Sequence, residues 1–207
     1  MKLYKYRSLR NNNAREHTLD IIKNKRLFMA SFHDMNDPLE GLFNTQDITH
    51  NAIQQIINEK SQYKICCLSD SPYNMLMWTH YADNYQGCCI EIDIDDNLRH
   101  NKKGDMLRKI KYTNQGLLRK DMRKNSCYYL SRKLTPWKHE REYRILRKSE
   151  IETFFECRIT QIFIGYKMTS QNKQTISSII TTNNNNIGLH NISKQELIDY
   201  FKDKALK

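Results

Sequence analysis

Three short clusters of the sequence combine aromatic, cationic and acidic side chains, the kinds that bind ligands and transfer protons. They are Tyr6-Arg7 near the start, Trp78-Thr79-His80-Tyr81 in the middle and Glu140-Arg141-Glu142 late in the chain. Each also has a structural explanation, because Tyr and Trp at helical spacing usually lie in the core, and a single His is usually a hydrogen-bonded structural residue. Glu142 can likewise pair with Arg144 or Arg7. For any one residue the structural explanation is the simpler one.

A fourth polar group, His33, Asp34, Asp37 and Glu40, falls in one predicted loop. Carboxylates can ligate a hard metal ion, so this group raises the hypothesis of a metal-dependent nuclease. Its spacing matches no specific metal motif, and loop carboxylates more often cap turns and bind backbone amides. We therefore predict no metal site and rank the nuclease hypothesis last.

The positive charge of the chain is concentrated in one segment. The formal net charge is +11, yet residues 99–148 hold 17 Lys and Arg against four acidic residues, so the remainder of the chain is slightly acidic. Such a segment is either a solvated basic face or a surface for phosphate groups. Under the second interpretation the partner is nucleic acid, another anionic macromolecule or a pyrophosphate cofactor.

A predicted strand, helix and strand within Tyr63–Asp95 form the unit around which the chain is organised. An apolar run from Ile65 ends at a turn containing Pro72, apolar residues then recur every three or four positions, and a second apolar run follows Gly87. No Lys or Arg occurs between Ile65 and Leu98, which is unusual in so basic a chain and indicates interior strands. The second polar cluster lies on the helix of this unit.

Short strands and amphipathic helices, in no regular βαβ order, are predicted around this unit. Strands are expected at 3–8, 26–31, 105–112, 142–146, 159–165 and 187–192, helices at 16–25, 48–60, 115–133 and 170–181, and a capping box of Ser193 and Glu196 before a last helix. This order predicts an α+β fold with a mixed, mostly antiparallel sheet and flanking helices. The length suits a single domain over residues 1–207.

The sequence lacks the signals of secretion and of the easily recognised enzyme classes. Its first residues have no apolar signal-peptide core, and no apolar run approaches the ~20 residues of a membrane helix. A cytoplasmic protein with no membrane partner is therefore expected. No GxGxxG, P-loop, GxSxG or HExxH motif occurs. The oligomeric state is left open.

Four blocks of the sequence are, in order, LYKYRS, LFMASFHDMNDPLEG, ICCLSDSPYNMLMWTHYADNYQGCCIEID and WKHEREYRIL. Taken together, they resemble a widespread bacterial family, the domain-of-unknown-function 2971 family. The resemblance predicts a family-like core at 3–165, followed by a strand and helix extension at 166–207. The family name itself implies no chemistry.

The clusters also resemble the site of the ADP-ribosyltransferase fold, which implies NAD as the cofactor. In that fold an Arg or His on the first strand binds the cofactor, a small or aromatic polar residue follows in a middle motif, and a Glu lies on a later strand, often as Glu-x-Glu. The resemblance maps Arg7 to the first element, and Glu142 with its companion Glu140 to the third. The middle element is Ser69 or Tyr81, and Tyr6, Trp78 and His80 complete the predicted cofactor-binding set.

This second resemblance implies a coherent reaction. Cleavage of the nicotinamide–ribose bond passes through an oxocarbenium-like state, which a carboxylate beside the ribose, Glu142, would stabilise. Arg7 would bind the pyrophosphate, and Trp78 or Tyr81 would wall the nicotinamide. Glu140 would orient the acceptor or take its proton. The same resemblance implies toxin action or phage defence, with the predicted helix at 115–133 presenting a nucleic acid or another anionic macromolecule as the acceptor.

The alternative is a non-enzymatic module in which residues 99–148 bind RNA or DNA and the clusters are structural. Acids inside a basic segment weaken phosphate contact, so such a module has no need of Glu140 and Glu142. An enzyme with a cationic transition state does need a carboxylate. The NAD-dependent enzyme is therefore the leading prediction, and the binding module is the alternative.

Overall fold

The computed structural model describes residues 1–37, 39, 45, 48–94, 98, 104–116, 124–183 and 186–205. The chain divides into two units, each built from separate segments. Unit 1 comprises Met1–Leu27, Leu68–Asp95 and Glu156–Lys207, and unit 2 comprises Phe28–Cys67 and Asp96–Phe155. The predicted C-terminal extension, 166–207, is thus part of the same unit as the first residues of the chain.

The helices of the described residues mostly begin at side-chain caps. They are α1 Asn12–Asn24, α2 His50–Ser61, α3 Met75–Tyr81, α4 Ser126–Tyr129, α5 Ser170–Thr182 and α6 Lys194–Ala205, with 3₁₀ helices at Phe32–Asp34 and Thr135–Glu140. The predicted capping box before α6 is confirmed, since Ser193 N donates to Glu196 Oε2 (2.7 Å) and Glu196 N donates to Ser193 Oγ (3.1 Å). None of the described helices is long and apolar enough to cross a membrane.

The strands are short and mostly pair in antiparallel fashion. They are β1 Lys2–Arg7, β2 Arg26–Phe28, β3 Ala30–Ser31, β4 Tyr63–Ser69, β5 Cys88–Asp93, β6 Met106–Lys109, β7 Lys111–Tyr112, β8 Arg132–Lys133, β9 Glu142–Lys148, β10 Phe154–Glu156, β11 Arg158–Ile164 and β12 Gly188–Asn191. β1 with β5 and β6 with β9 are antiparallel, whereas β11 with β12 and β7 with β8 are parallel. The predicted α+β fold with a mixed, mostly antiparallel sheet is confirmed, as is the central strand, helix and strand, seen as β4, α3 and β5.

The sheet of unit 1 separates Tyr6 from Arg7. Its strands follow the order β12-β11-β5-β1, with the end of β4 beside β1. Tyr6 lies opposite Cys89 and Arg7 opposite Cys88. Because successive strand residues point to opposite faces, Tyr6 faces the cluster that contains Trp78 of α3, and Arg7 faces α1.

In unit 2 the sheet runs from β4 through β9 to β6 at its edge, and β3 pairs with the first part of β4. Its core contains Phe32, Ile65, Cys127, Leu130 and Leu146. The short ladder of β7 and β8 is separate from this sheet and lies beside the 3₁₀ helix Thr135–Glu140. The third polar cluster therefore sits where this 3₁₀ helix leads into β9.

The prediction of a long basic helix over 115–133 is wrong. The described part of that range holds only the single turn of α4 and the strand β8, and residues 117–123 lie outside the described residues. Arg132 and Lys133 are buried rather than solvated, because β8 pairs with β7 and their side chains bind partners inside unit 2. Tertiary pairing here overrides a local helical preference.

The strands predicted at 26–31 and 105–112 are each divided in two. In the second case the division follows a change of partner. β6 pairs with β9, Ile110 N then donates to Glu142 O (3.0 Å), and β7 pairs with β8 instead. The change of partner places the chain of β7 next to the 3₁₀ helix Thr135–Glu140.

Candidate functional site

The residues predicted to bind NAD and to catalyse its cleavage fall in different units. Unit 1 contains the six predicted cofactor-binding residues, Tyr6, Arg7, Ser69, Trp78, His80 and Tyr81. Unit 2 contains the two predicted catalytic residues, Glu140 and Glu142.

Within unit 1, Tyr6 and Trp78 lie together in the core. Their rings meet edge to face, with centroids 5.4 Å apart, and Trp78 is fully buried. Trp78 Nε1 donates to Pro72 O (2.7 Å), and Tyr6 Oη donates to Ser71 O (2.7 Å) and accepts from Asn74 N (3.2 Å). Burial raises the pKa of the Tyr6 hydroxyl well above its usual value. Both side chains therefore fix the turn before α3 onto the sheet.

The other four unit 1 residues differ in their accessibility. Ser69 is buried, Arg7 and Tyr81 are half-buried and His80 is exposed. Arg7 Nε donates to Thr18 Oγ1 (3.4 Å), on the face of the sheet opposite to the one that Trp78 covers. The structure thus brings Tyr6 and Trp78 together and places Arg7 behind them.

Glu142 and Glu140 belong to a buried network of charges in unit 2. Glu142 Oε1 accepts from Arg144 Nε (2.6 Å), and Glu142 Oε2 accepts from Lys133 Nζ (3.0 Å). Lys133 Nζ also donates to Glu140 Oε2 (2.5 Å), and Arg144 Nη1 donates to Leu130 O (2.9 Å). All four charged side chains are at most 5% exposed. Of the two partners suggested for Glu142 by the sequence, Arg144 and Arg7, the structure shows the pairing with Arg144.

The network keeps its members charged. Burial alone would raise the pKa of Glu142, but the positive charges of Arg144 and Lys133 outweigh it and lower this pKa to about 2. Burial alone would lower the pKa of Lys133, but the carboxylates of Glu142 and Glu140 raise it above its usual value. Glu142 is therefore ionised at neutral pH, with both of its oxygens bound to cations.

A second buried ion pair joins the start of β6 to the end of β9. Arg147 donates from Nε to Asp105 Oδ1 (2.5 Å) and from Nη2 to Asp105 Oδ2 (2.7 Å), while its Nη1 binds Glu152 O and Phe154 O. Sequence reasoning missed this pair. Its two members are 42 residues apart and meet only through the register of β6 and β9, so no local spacing indicates it.

These pairings leave the exposed charge of the basic segment cationic. All three acidic residues of residues 99–148 that the structure describes, Asp105, Glu140 and Glu142, are buried against cations. The exposed charged side chains that it describes in the same segment are all cationic: Arg108, Lys109, Lys111, Lys124, Lys138 and Lys148. We call these six residues the basic surface.

Half-buried aromatic rings accompany the cations of this segment. Lys109 Nζ lies 5.6 Å from the centre of the Tyr143 ring, and Lys133 Nζ lies 4.8 Å from that of Trp137. Trp137 in turn stacks with His139, with centroids 6.3 Å apart and planes inclined by 26°. Lys109 is exposed, so Lys109 and the Tyr143 ring can contact a phosphate and a base of nucleic acid, whereas buried Lys133 holds the Trp137 ring in place.

The acidic loop behaves as a turn in its described part. Asp37 is buried and its Oδ1 accepts from Leu39 N (3.0 Å), as expected of a turn-capping carboxylate, whereas Asp34 is exposed. Glu40 lies outside the described residues. Among the residues that the structure covers, no group of three or more His, Cys, Asp or Glu side chains could hold a metal ion.

Comparison with known proteins bears on the family alone. No curated protein and no solved structure matches the chain. Residues 77–145 match a family described as "Protein of unknown function (DUF2971)", and this segment, 69 of the 207 residues, runs from α3 into β9 and holds the second and third polar clusters. Over residues 77–145 the chain is therefore similar to the DUF2971 family, which confirms the predicted resemblance for that segment.

Proposed function

We propose that this protein binds nucleic acid through its basic surface and that Glu140 and Glu142 serve to hold that surface in shape. One observation carries the proposal. The described acids of residues 99–148 are buried in ion pairs, while six cations of the same segment face solvent. The objection that acids would weaken phosphate contact no longer applies, because a carboxylate already bound to buried Lys133 and Arg144 presents no charge to a ligand.

The cations that contribute most directly to the proposal lie on one stretch of chain. Arg108 and Lys109 end β6, at the edge of the unit 2 sheet, and Lys111 begins β7. All three are exposed. Each cation that neutralises a phosphate releases a condensed counterion, so the affinity gained in this way is independent of base sequence and falls with added salt.

Equilibrium binding of a labelled oligonucleotide tests the proposal. A triple variant, Arg108→Gln, Lys109→Gln and Lys111→Gln, should weaken binding at least about tenfold at low salt, because three phosphate contacts are lost. A matched variant in unit 1, Lys23→Gln, Lys194→Gln and Lys202→Gln, changes the net charge equally at exposed lysines and should bind nearly as the wild type does. Equal loss in both triple variants, or no binding by the wild type, would refute the proposal.

The NAD-dependent reaction is the second candidate. It is supported by the accessible surface that Arg7, His80 and Tyr81 retain. It stands second because Glu142 would have to leave two cations in order to contact a ribose. Thermal melting with NAD tests it: a ligand at ~100 times its dissociation constant adds ~2.7 kcal/mol of stability. A stabilisation by NAD that Arg7→Ala removes would favour this candidate, and divalent metal ions added separately test the nuclease hypothesis.

A further inference from the structure

We infer that the nucleic acid bound by unit 2 is single-stranded and that one of its bases stacks on Trp137. This inference rests on the proposed function, to which it adds the class of nucleic acid and the side chain that selects it. It is carried by the aromatic pair Trp137 and His139 on the 3₁₀ helix Thr135–Glu140.

The aromatic pair is held in position by the buried charge network. Lys133 Nζ lies 4.8 Å from the centre of the Trp137 ring, and the same nitrogen binds Glu140 and Glu142. His139 Nδ1 lies 2.9 Å from Pro136 O, which fixes the second ring. Both residues are half-buried, so part of each remains accessible to a ligand. A ring that is already oriented loses little conformational entropy when a base stacks on it.

Exposed cations lie next to this pair in the fold. β7 packs beside the 3₁₀ helix, and Lys111 at its start is exposed. Lys138 is exposed between the two aromatic residues in the sequence. Thr135 N donates to Asn114 Oδ1 (3.3 Å), which joins the residues after β7 to the start of the same helix. A nucleic-acid strand whose phosphates contact Lys111 and Lys138 therefore passes close to Trp137.

Aromatic rings favour single strands for a geometric reason. A duplex offers its phosphates to cations, but its base faces are already stacked on one another and are closed to a protein ring. A single strand can turn a base outwards and stack it on an aromatic side chain, and this contact tolerates any base. Cations alone would bind both forms, whereas cations beside Trp137 should prefer the single strand.

The chain contains its own fluorescent reporter for this contact. It has two tryptophans, of which Trp78 is fully buried in unit 1 and Trp137 is half-buried in unit 2. A base stacked on Trp137 should quench its emission and leave that of Trp78 unchanged. The variant Trp137→Phe keeps an aromatic ring but removes the reporter, so binding should persist while the quenching disappears.

The experiment titrates the full chain with single-stranded RNA, single-stranded DNA and duplex DNA of one length, by tryptophan fluorescence and by anisotropy of the labelled strand. Trp137→Ala should weaken single-strand binding by roughly 5- to 150-fold, the usual effect of losing one stacked base. The affinity of Trp137→Ala for duplex DNA should change less than about twofold, since the duplex is bound only through its phosphates. Phe28→Ala, which removes an aromatic ring of unit 2 that is 56% exposed and outside the basic segment, is the control and should bind as the wild type does.

The outcomes separate the inference from the proposed function. A preference of at least about tenfold for single strands, with quenching that Trp137→Phe abolishes, supports the inference. Equal affinity for both forms with no quenching overturns it and leaves nucleic-acid binding intact. Absence of binding to every oligonucleotide overturns both. If Trp137→Ala melts at a much lower temperature than the wild type, its binding data are set aside. The inference is then tested by whether Trp137→Phe binds the single strand without the quenching that the wild type shows.

Discussion

Replacing Glu142 by Gln removes one buried negative charge and almost no volume. The wild-type carboxylate accepts from Arg144 at 2.6 Å and from Lys133 at 3.0 Å, and these two cations are 0% and 5% exposed. The Gln amide would present N–H donors to partners that are themselves donors. The loss of stability in Glu142→Gln therefore measures the charge pairing and not the creation of a cavity.

The size of the effect can be obtained in two ways. The pKa of Glu142, lowered from 4.5 to about 2 in the folded protein, corresponds to about 3 kcal/mol of stability at neutral pH. Breaking a buried ion pair by removing one partner typically costs about 3–5 kcal/mol. We expect Glu142→Gln to lower the free energy of unfolding by about 3–5 kcal/mol, which is roughly 6–20 °C in Tm.

Urea denaturation followed by tryptophan fluorescence measures this difference, and its pH dependence identifies the cause. Because the folded pKa lies below the unfolded one, the contribution of Glu142 is complete above about pH 4.5 and is lost as the pH falls towards about 2. The difference in the free energy of unfolding between the wild type and Glu142→Gln should therefore decrease as the pH falls through that range. Glu150→Gln, an exposed acid in the same unit, should change stability by less than about 0.5 kcal/mol.

A gap of less than about 1 kcal/mol between wild type and Glu142→Gln, or one that does not depend on pH, would refute the ion-pair reasoning. If the variant instead kept the wild-type stability and lost an NAD-dependent activity, the catalytic role predicted from the resemblance would be supported. The one substitution thus distinguishes the two roles considered for Glu142.

Two further predictions concern stability. Asp105→Asn breaks the bidentate pair with fully buried Arg147 and should cost about 3–5 kcal/mol in urea denaturation, and a cost below about 1 kcal/mol would contradict the account of that pair. Gly165→Ala should destabilise unit 1 by roughly 3 kcal/mol or leave it insoluble, because the new Cβ would lie 2.1 Å from Tyr85 O. Gly188→Ala is its control, since the nearest atom to a Cβ at that position is 3.6 Å away. Equal melting temperatures for the two variants would show the steric argument to be wrong.

Local patterns were sufficient to predict much of the fold. The strands predicted at 3–8 and 142–146 are present, and the two-residue period of a strand then places Tyr6 and Arg7 on opposite faces and Glu142 and Arg144 on the same face. Ser193 and Glu196 form the expected capping box. These features depend only on residues close in the sequence, whose geometry the strand or helix period determines.

Other features depend on contacts that no local pattern encodes. The pairing of Asp105 with Arg147 follows from the register of β6 on β9, and the burial of Arg132 and Lys133 follows from the pairing of β7 with β8. The sequence shows that Glu140 and Glu142 are acidic residues within a basic segment, but their exposure depends on the tertiary structure. Their burial changes the preferred function from an NAD-dependent enzyme to a nucleic-acid-binding module, and the ADP-ribosyltransferase resemblance stays a prediction.

The salt dependence of oligonucleotide binding tests the central claim most directly. If the basic surface neutralises phosphates, log K should fall linearly with log salt, and replacing Arg108, Lys109 and Lys111 by Gln should flatten the slope for a single strand by about 2, at ~0.7 per phosphate contact. The variant with Lys23, Lys194 and Lys202 replaced should keep the wild-type slope. A wild-type affinity that does not respond to salt, or the same slope in all three proteins, would contradict the account.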